Sequence, residues 1–126
     1  MNPKYSQGIR KYPISPVPAP VLGEIGVAML EGSLKYGYYN FRKTDISATT
    51  YYDAVNRHMS AWWEGEDIDP DSGLSHVVKA AASLILLRDA MINYRLEDDR
   101  PPPTTAGWIE HLNKLTRQLH EKHGDD

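Results

Sequence analysis

The chain has 126 residues, 40% of them hydrophobic, with no cysteine and a formal net charge of −3. That size suits one domain with one core, and the slight acidity excludes general binding to a nucleic-acid backbone, which needs a basic face. It leaves room for a phosphate ligand carried with a metal ion. The absence of cysteine excludes a disulfide scaffold and thiolate metal sites, and suits a reducing cytoplasm.

Residues 1 to 20 carry Pro3, Pro13, Pro16, Pro18 and Pro20. Prolines at this density predict an extended arm instead of a helix. The opening MNPKYSQGIRKY has no apolar stretch of the kind a signal peptide needs, and the longest apolar run, Ala80 to Leu87, is too short to span a bilayer. No membrane partner is expected.

From Val21 the pattern becomes helical. Val21, Leu22, Ile25, Ala28 and Met29 recur at helical spacing, and Gly37 can end the helix. Residues 38 to 48 read as a connection. A second helix is predicted from Thr49 to Glu64, with Tyr51, Val55, Met59 and Trp62 as its apolar stripe and His58 at the edge. Gly65 to Gly73 is an acidic loop rich in turn residues. The third helix should start near Ser72 or Ser75, either able to cap it, and run to about Leu96. It is apolar almost all round, which predicts a buried central helix. Pro101-Pro102-Pro103 breaks the chain, and Thr104 or Thr105 can cap a last helix whose Trp108, Leu112, Leu115 and Leu119 form an amphipathic stripe seeking a partner. No alternating strand pattern appears, so the fold class is all-α.

Chemistry is concentrated in two places. Glu24, Glu31 and Lys35 fall within about 40° of one another on the first helix, at roughly 100° per residue. Two carboxylates and a lysine there can hold a metal and meet a phosphate, or simply form a solvated face. The acidic loop packs Glu64, Glu66, Asp67, Asp69 and Asp71 just before a buried helix. Their repulsion needs water, a cation or basic side chains to offset it, and hard cations such as Mg²⁺ take oxygens of this kind. A solvated acidic turn is the other reading. His58 and His76 flank this region and can be ligands or hydrogen-bonded core residues, while His111, His120 and His123 read as surface residues. His76 and Ser83 share one helical face. Tyr36, Tyr38, Tyr39, Phe41, Trp62 and Trp63 include candidates for stacking on a base. There is no P-loop, no HExxH, no Gly-x-Ser-x-Gly and no His-Asp dipeptide.

Lys35-Tyr36-Gly37 followed by Asn40-Phe41-Arg42-Lys43, then Arg57-His58, Ala61-Trp62 and Gly65-Glu66, then Asp69-Pro70-Asp71-Ser72-Gly73-Leu74 and His76, resemble in order and spacing the phage dATP/dGTP diphosphohydrolase family. That family is similar to the MazG-like all-α nucleoside triphosphate pyrophosphohydrolases, and Glu66 to Asp69 reads as their E-x-x-D. The resemblance implies a MazG-like helical bundle over residues 1 to 100, with the proline-rich arm included. Residues 101 to 126 are then a linker and helix packed on the same domain or on a neighbouring subunit. It implies hydrolysis of a purine (d)NTP, with dGTP or GTP first, to the monophosphate and pyrophosphate. The setting would be phage nucleotide-pool remodelling in the host cytoplasm, where dGMP can feed 2-aminoadenine synthesis.

The cofactor implied is Mg²⁺, replaceable by Mn²⁺, with two or more ions per site held by Glu24, Glu31, Glu66 and Asp69. Glu66, Asp69, Glu31 and His76 are the implied catalytic residues. Lys35, Tyr36, Asn40, Arg57, His58 and Arg10 are the implied substrate contacts. A homodimer or homotetramer is expected, with no nucleic-acid partner. The rival reading is a non-catalytic helical phage interaction or regulatory protein that docks through Trp108 to Leu119.

Overall fold

A computed structural model describes residues 2–124. Five helices and one very short pair of strands make up the regular structure: α1 (Pro3–Gly8), α2 (Ala19–Tyr36), β1 (Ile46–Ser47), α3 (Ala48–Trp63), α4 (His76–Ile92), β2 (Leu96–Glu97) and α5 (Trp108–His123), with a 3-10 turn at Asn40–Arg42. The fold is all-α in character, as the spacing predicts.

The N-terminal arm departs from the expectation of an extended segment. Asn2 accepts a hydrogen bond from the Lys4 backbone N–H at 2.8 Å and Pro3 occupies the first turn, where its missing N–H costs nothing. A six-residue helix results. The same logic starts α2 earlier than expected, because Pro20 is tolerated in its first turn. Gly37, at φ 98°, ends it.

α4 is the central element, packed against α2 on one side and α3 on the other. Its contact residues are small. Ala28 of α2 meets Val78 and Ala82 of α4, with Ile25, Met29 and Leu74 packed around them. Small side chains let the helix backbones approach closely. Burial is nevertheless one-sided: Val77, Leu84 and Ile85 of α4 stay substantially exposed, contrary to the expectation of a helix buried all round. α3 turns Tyr51, Ala54, Val55, His58 and Ala61 inward, leaving Met59 and Trp62 on the exposed side of the predicted stripe.

α4 ends at Ile92, not Leu96. Asn93 caps it and Tyr94 takes a left-handed φ of 54°, turning the chain into β2. β2 pairs in parallel with β1, Ile46 opposite Leu96, and the Ile46 N–H donates to the Arg95 carbonyl at 2.8 Å. Two residues per strand are too few to show alternation, which is why no strand was expected. Just beyond, Asp99 accepts hydrogen bonds from the Ser47 hydroxyl at 2.7 Å and from the Thr49 backbone N–H at 2.9 Å. A carboxylate about fifty positions away thus caps the first turn of α3, where helix N–H groups attract negative charge. Arg42 grips Asp89 of α4 through two nitrogens at 2.7 Å.

α5 starts at Trp108 behind Gly107, whose φ is 84°, with no side-chain cap. Thr104 and Thr105 therefore lie outside the helix they were expected to cap. Every residue of α5 is exposed. Among the described residues, no helix is long and apolar enough to cross a membrane.

Candidate functional site

The acidic loop between α3 and α4 is a tight hairpin. Ile68 bridges Ser75, the Asp69 N–H donates to the Leu74 carbonyl at 2.8 Å, and the His76 N–H donates to the Asp67 carbonyl at 3.0 Å. Gly73, at φ 74°, makes the reversal, and its N–H closes back on the Asp69 carbonyl at 2.7 Å. Ser75 caps α4 by accepting from the Val78 N–H at 3.3 Å. The hairpin sets Asp69 and His76 beside each other at the mouth of the α3–α4 pair.

His76 is the buried polar residue of the core, 5% exposed. Its Nε2 lies 2.6 Å from the Glu66 carboxylate and its Nδ1 lies 2.9 Å from Nδ1 of His58 on α3. Asp69 accepts from the Asp71 backbone N–H at 3.0 Å and from the Ser72 hydroxyl at 3.2 Å. Burial works against the charge on Asp69. The Asp71 N–H, the Ser72 hydroxyl and the two histidines outweigh it and hold the carboxyl below its ordinary range. Burial pushes the His58 imidazolium down. Asp69 opposes that shift, and His76, Lys79 and Arg57 add to it.

His58, Asp69 and His76 can each present one ligand atom, all within 4.8 Å of one another. Two imidazoles and a carboxylate fit a divalent cation. An all-oxygen set of the kind Mg²⁺ takes is not assembled there. Glu31 is engaged elsewhere, by Lys79 of α4 and by Lys35 at 3.9 Å. Glu24 is exposed, two turns earlier on α2.

Next to this cluster lies a cavity of about 500 Å³ between α2, α3 and α4, within the range of small-ligand sites. Glu31, Lys35, Tyr36, Asn40, Phe41 and Tyr51 are among its lining residues. Lys35, among its lining residues, lies 3.9 Å from Asp71, which links the cavity to the hairpin.

Comparison with known sequences bears on this site. A family model described as dATP/dGTP diphosphohydrolase, N-terminal, matches residues 1–100. The chain belongs to the dATP/dGTP diphosphohydrolase family. A curated relative in the family, the dATP/dGTP diphosphohydrolase of Salmonella phage PMBT28, is 31% identical over 97 residues, which cover 77% of this chain and 32% of the relative. The chain therefore spans about a third of that relative's length. No solved structure matches it.

Within this family member the sequence-predicted residues separate into groups. Glu66, Asp69, His76 and His58 come together around the hairpin. Glu31, Lys35, Tyr36 and Asn40 line the adjoining cavity. Arg57 is exposed on α3 and acts on His58 only through its charge. Arg10 is exposed after α1. Ser83 lines the cavity near Lys79.

Sequence reasoning missed Lys79, which ties Glu31 of α2 to α4, and missed Tyr51 and Thr50 in the cavity wall. The helical spacing of Lys79 one turn after His76 was the available signal for the first. The inward stripe containing Tyr51 was the signal for the second.

Proposed function

We propose that this chain binds and hydrolyses a purine deoxynucleoside triphosphate between the α- and β-phosphates, with dGTP as the first choice, releasing the monophosphate and pyrophosphate. The observation that carries this reading is a nucleotide-sized cavity whose Lys35 reaches Asp71 of the hairpin that also carries Asp69 and leads into His76. His58, Asp69 and His76 would hold a divalent cation, which would supply charge neutralisation and a more acidic water. The ion arriving with the nucleotide would be Mg²⁺, with Mn²⁺ able to replace it.

The chain's own side chains do the rest. Lys35 is half exposed and shared between Glu31 and Asp71 at 3.9 Å each, long contacts that a phosphate oxygen can displace. Tyr36, Phe41 and Tyr51 offer apolar and stacking surface, and Asn40 offers both a donor and an acceptor to the nucleoside. Burial raises the Tyr51 phenol, which keeps its proton and remains a donor. Lys79 neutralises Glu31 in the cavity wall, so a triphosphate entering there does not face a bare carboxylate. Glu66 and Asp69 carry the charge that attracts the cation. The phage relative's activity, that of a dATP/dGTP diphosphohydrolase by name, supports the substrate class. Exposed Trp108, Leu112, Leu115 and Leu119 on α5 support assembly as a homodimer or homotetramer.

Purified protein incubated with Mg²⁺ and each dNTP in turn should yield dGMP and pyrophosphate from dGTP. Glu66→Gln and Asp69→Asn should each lower turnover by about 100-fold or more while the helical circular dichroism stays unchanged. Release of orthophosphate alone, or wild-type turnover in both variants, would remove this reaction from the site.

A further inference from the structure

The donor set in the cluster selects a different ion from the one a triphosphate brings. We propose that His58, His76 and Asp69 form a resident site for one divalent transition-metal ion of the zinc or cobalt class, with Glu66 orienting His76 from outside the coordination shell. This deepens the functional reading by naming the ion class, and rests on it only for the ion's use in hydrolysis.

The geometry of the proton positions supports the assignment. A neutral imidazole has one N–H and one lone pair. His76 Nε2 lies 2.6 Å from a Glu66 oxygen, so that nitrogen carries the proton and donates it to the carboxylate. The lone pair of His76 is thereby fixed on Nδ1, which faces His58 Nδ1 at 2.9 Å inside the protein. A carboxylate that takes the outer N–H of a histidine, fixing its tautomer and ring orientation, is the usual arrangement behind a metal-binding imidazole.

Asp69 completes the set. Each of its oxygens accepts one hydrogen bond, one from the Asp71 N–H and one from the Ser72 hydroxyl, which leaves each with further lone-pair capacity. The three ligands come from α3, the hairpin and the start of α4, so the fold rather than local sequence brings them together.

Distances fit an ion after a small adjustment. Ligands on one tetrahedral zinc stand about 3.3 Å apart, given metal–ligand bonds of roughly 2.0–2.2 Å. The histidine nitrogens at 2.9 Å would open by a few tenths of an ångström, and the widest spacing of up to 4.8 Å would close by about 1.5 Å at most. Three protein ligands leave a coordination position for water or a phosphate oxygen, as in catalytic rather than structural sites. Mg²⁺ prefers six oxygens and keeps its waters, so two imidazole nitrogens disfavour it.

The test uses the tag-free, chelator-treated 126-residue chain. Co²⁺ titration followed by visible absorption should show one ion per chain in a low-symmetry nitrogen–oxygen environment. Zn²⁺ and Co²⁺ should raise the melting temperature at concentrations where Mg²⁺ has no effect. His58→Gln should weaken Co²⁺ at least tenfold, and Glu66→Gln should weaken it about 10- to 100-fold while the ratio stays at one ion per chain.

Equal stabilisation by Mg²⁺, absence of a Co²⁺ spectrum, or undiminished binding by His58→Gln each overturns the assignment. If Mg²⁺ alone supports dNTP hydrolysis and no transition ion binds, the reaction stands and this site falls. If Co²⁺ binds one to one and no dNTP is cleaved, the site stands and the reaction falls.

Discussion

Val77 and Val78 are adjacent valines in the first turn of α4, and the structure predicts opposite fates when each is cut to alanine. Val78 is 7% exposed and touches the Ala28–Ala82 contact, whereas Val77 is 44% exposed. Both substitutions gain about 0.5 kcal/mol of helix propensity, so that contribution cancels in the comparison. Removing two buried carbons at Val78 loses roughly 1.5 kcal/mol of transfer energy, and the cavity left behind adds about 1 kcal/mol. At Val77 about half of the transfer loss applies and no enclosed cavity forms. Val78→Ala should therefore be net destabilising by about 2 kcal/mol and Val77→Ala by roughly 0.3 kcal/mol. A chain of 126 residues has an unfolding entropy of about 0.26 kcal/mol/K, so the two melting temperatures should differ by roughly 6–7 °C. Thermal unfolding followed by circular dichroism at 222 nm measures this directly. Equal losses in the two variants, or a larger loss at Val77, would refute the assignment of the α2–α4 contact as the core.

Gly73→Ala should lower stability by about 1 kcal/mol, because φ 74° is strained for any side chain, while Gly26→Ala inside α2, where an added methyl meets nothing, should raise it by about 0.5–1 kcal/mol. Chemical denaturation of both variants separates the two signs. Asp99 should contribute to acid stability. The Thr49 and Ser47 hydroxyls and the Thr49 N–H lower its carboxyl from 3.8 to about 2 in the folded chain. A depressed folded value means that its stabilisation is complete above the unfolded value and is lost as pH falls from about 4 toward 2. Asp99→Asn should melt below wild type at pH 7 and converge with it near pH 2. Parallel curves across that window would contradict the capping role.

The three main helices were legible because their apolar positions recur at helical spacing and their ends carry Gly37, Ser75 or turn residues. What escaped was set by distant partners or very short elements. The capping of α3 by Asp99 acts across 50 positions, and β1 and β2 have two residues each. α1 forms through one local hydrogen bond from Lys4 to Asn2, a detail that proline counting overrides. Within the site, Glu66, Asp69 and His76 were visible as near neighbours in a turn-rich loop. The Glu31–Lys79 pair spans 48 positions and the His58–His76 contact spans 18, so neither follows from local pattern. Of the four carboxylates expected to share a metal, Glu31 of α2 meets Lys79 of α4, a pairing set by how the two helices pack and not by local pattern.

The α3–α4 pair is fastened at both ends. Ile46, Leu96 and Asp99 join the start of α3 to the exit from α4, while the Ile68–Ser75 bridge and the facing histidines join the other end. The two fastenings share no residue, so one can open while the other stays shut. Backbone amides therefore report on two separate processes. The Ile46 N–H, bonded to Arg95, exchanges its hydrogen with solvent only when the strand end lets go. The Asp69 and Gly73 amides, bonded to the Leu74 and Asp69 carbonyls, exchange only when the hairpin opens. A ligand that settles on the hairpin slows the second set and leaves the first at its own pace, which makes exchange at these few amides a map of where binding is felt.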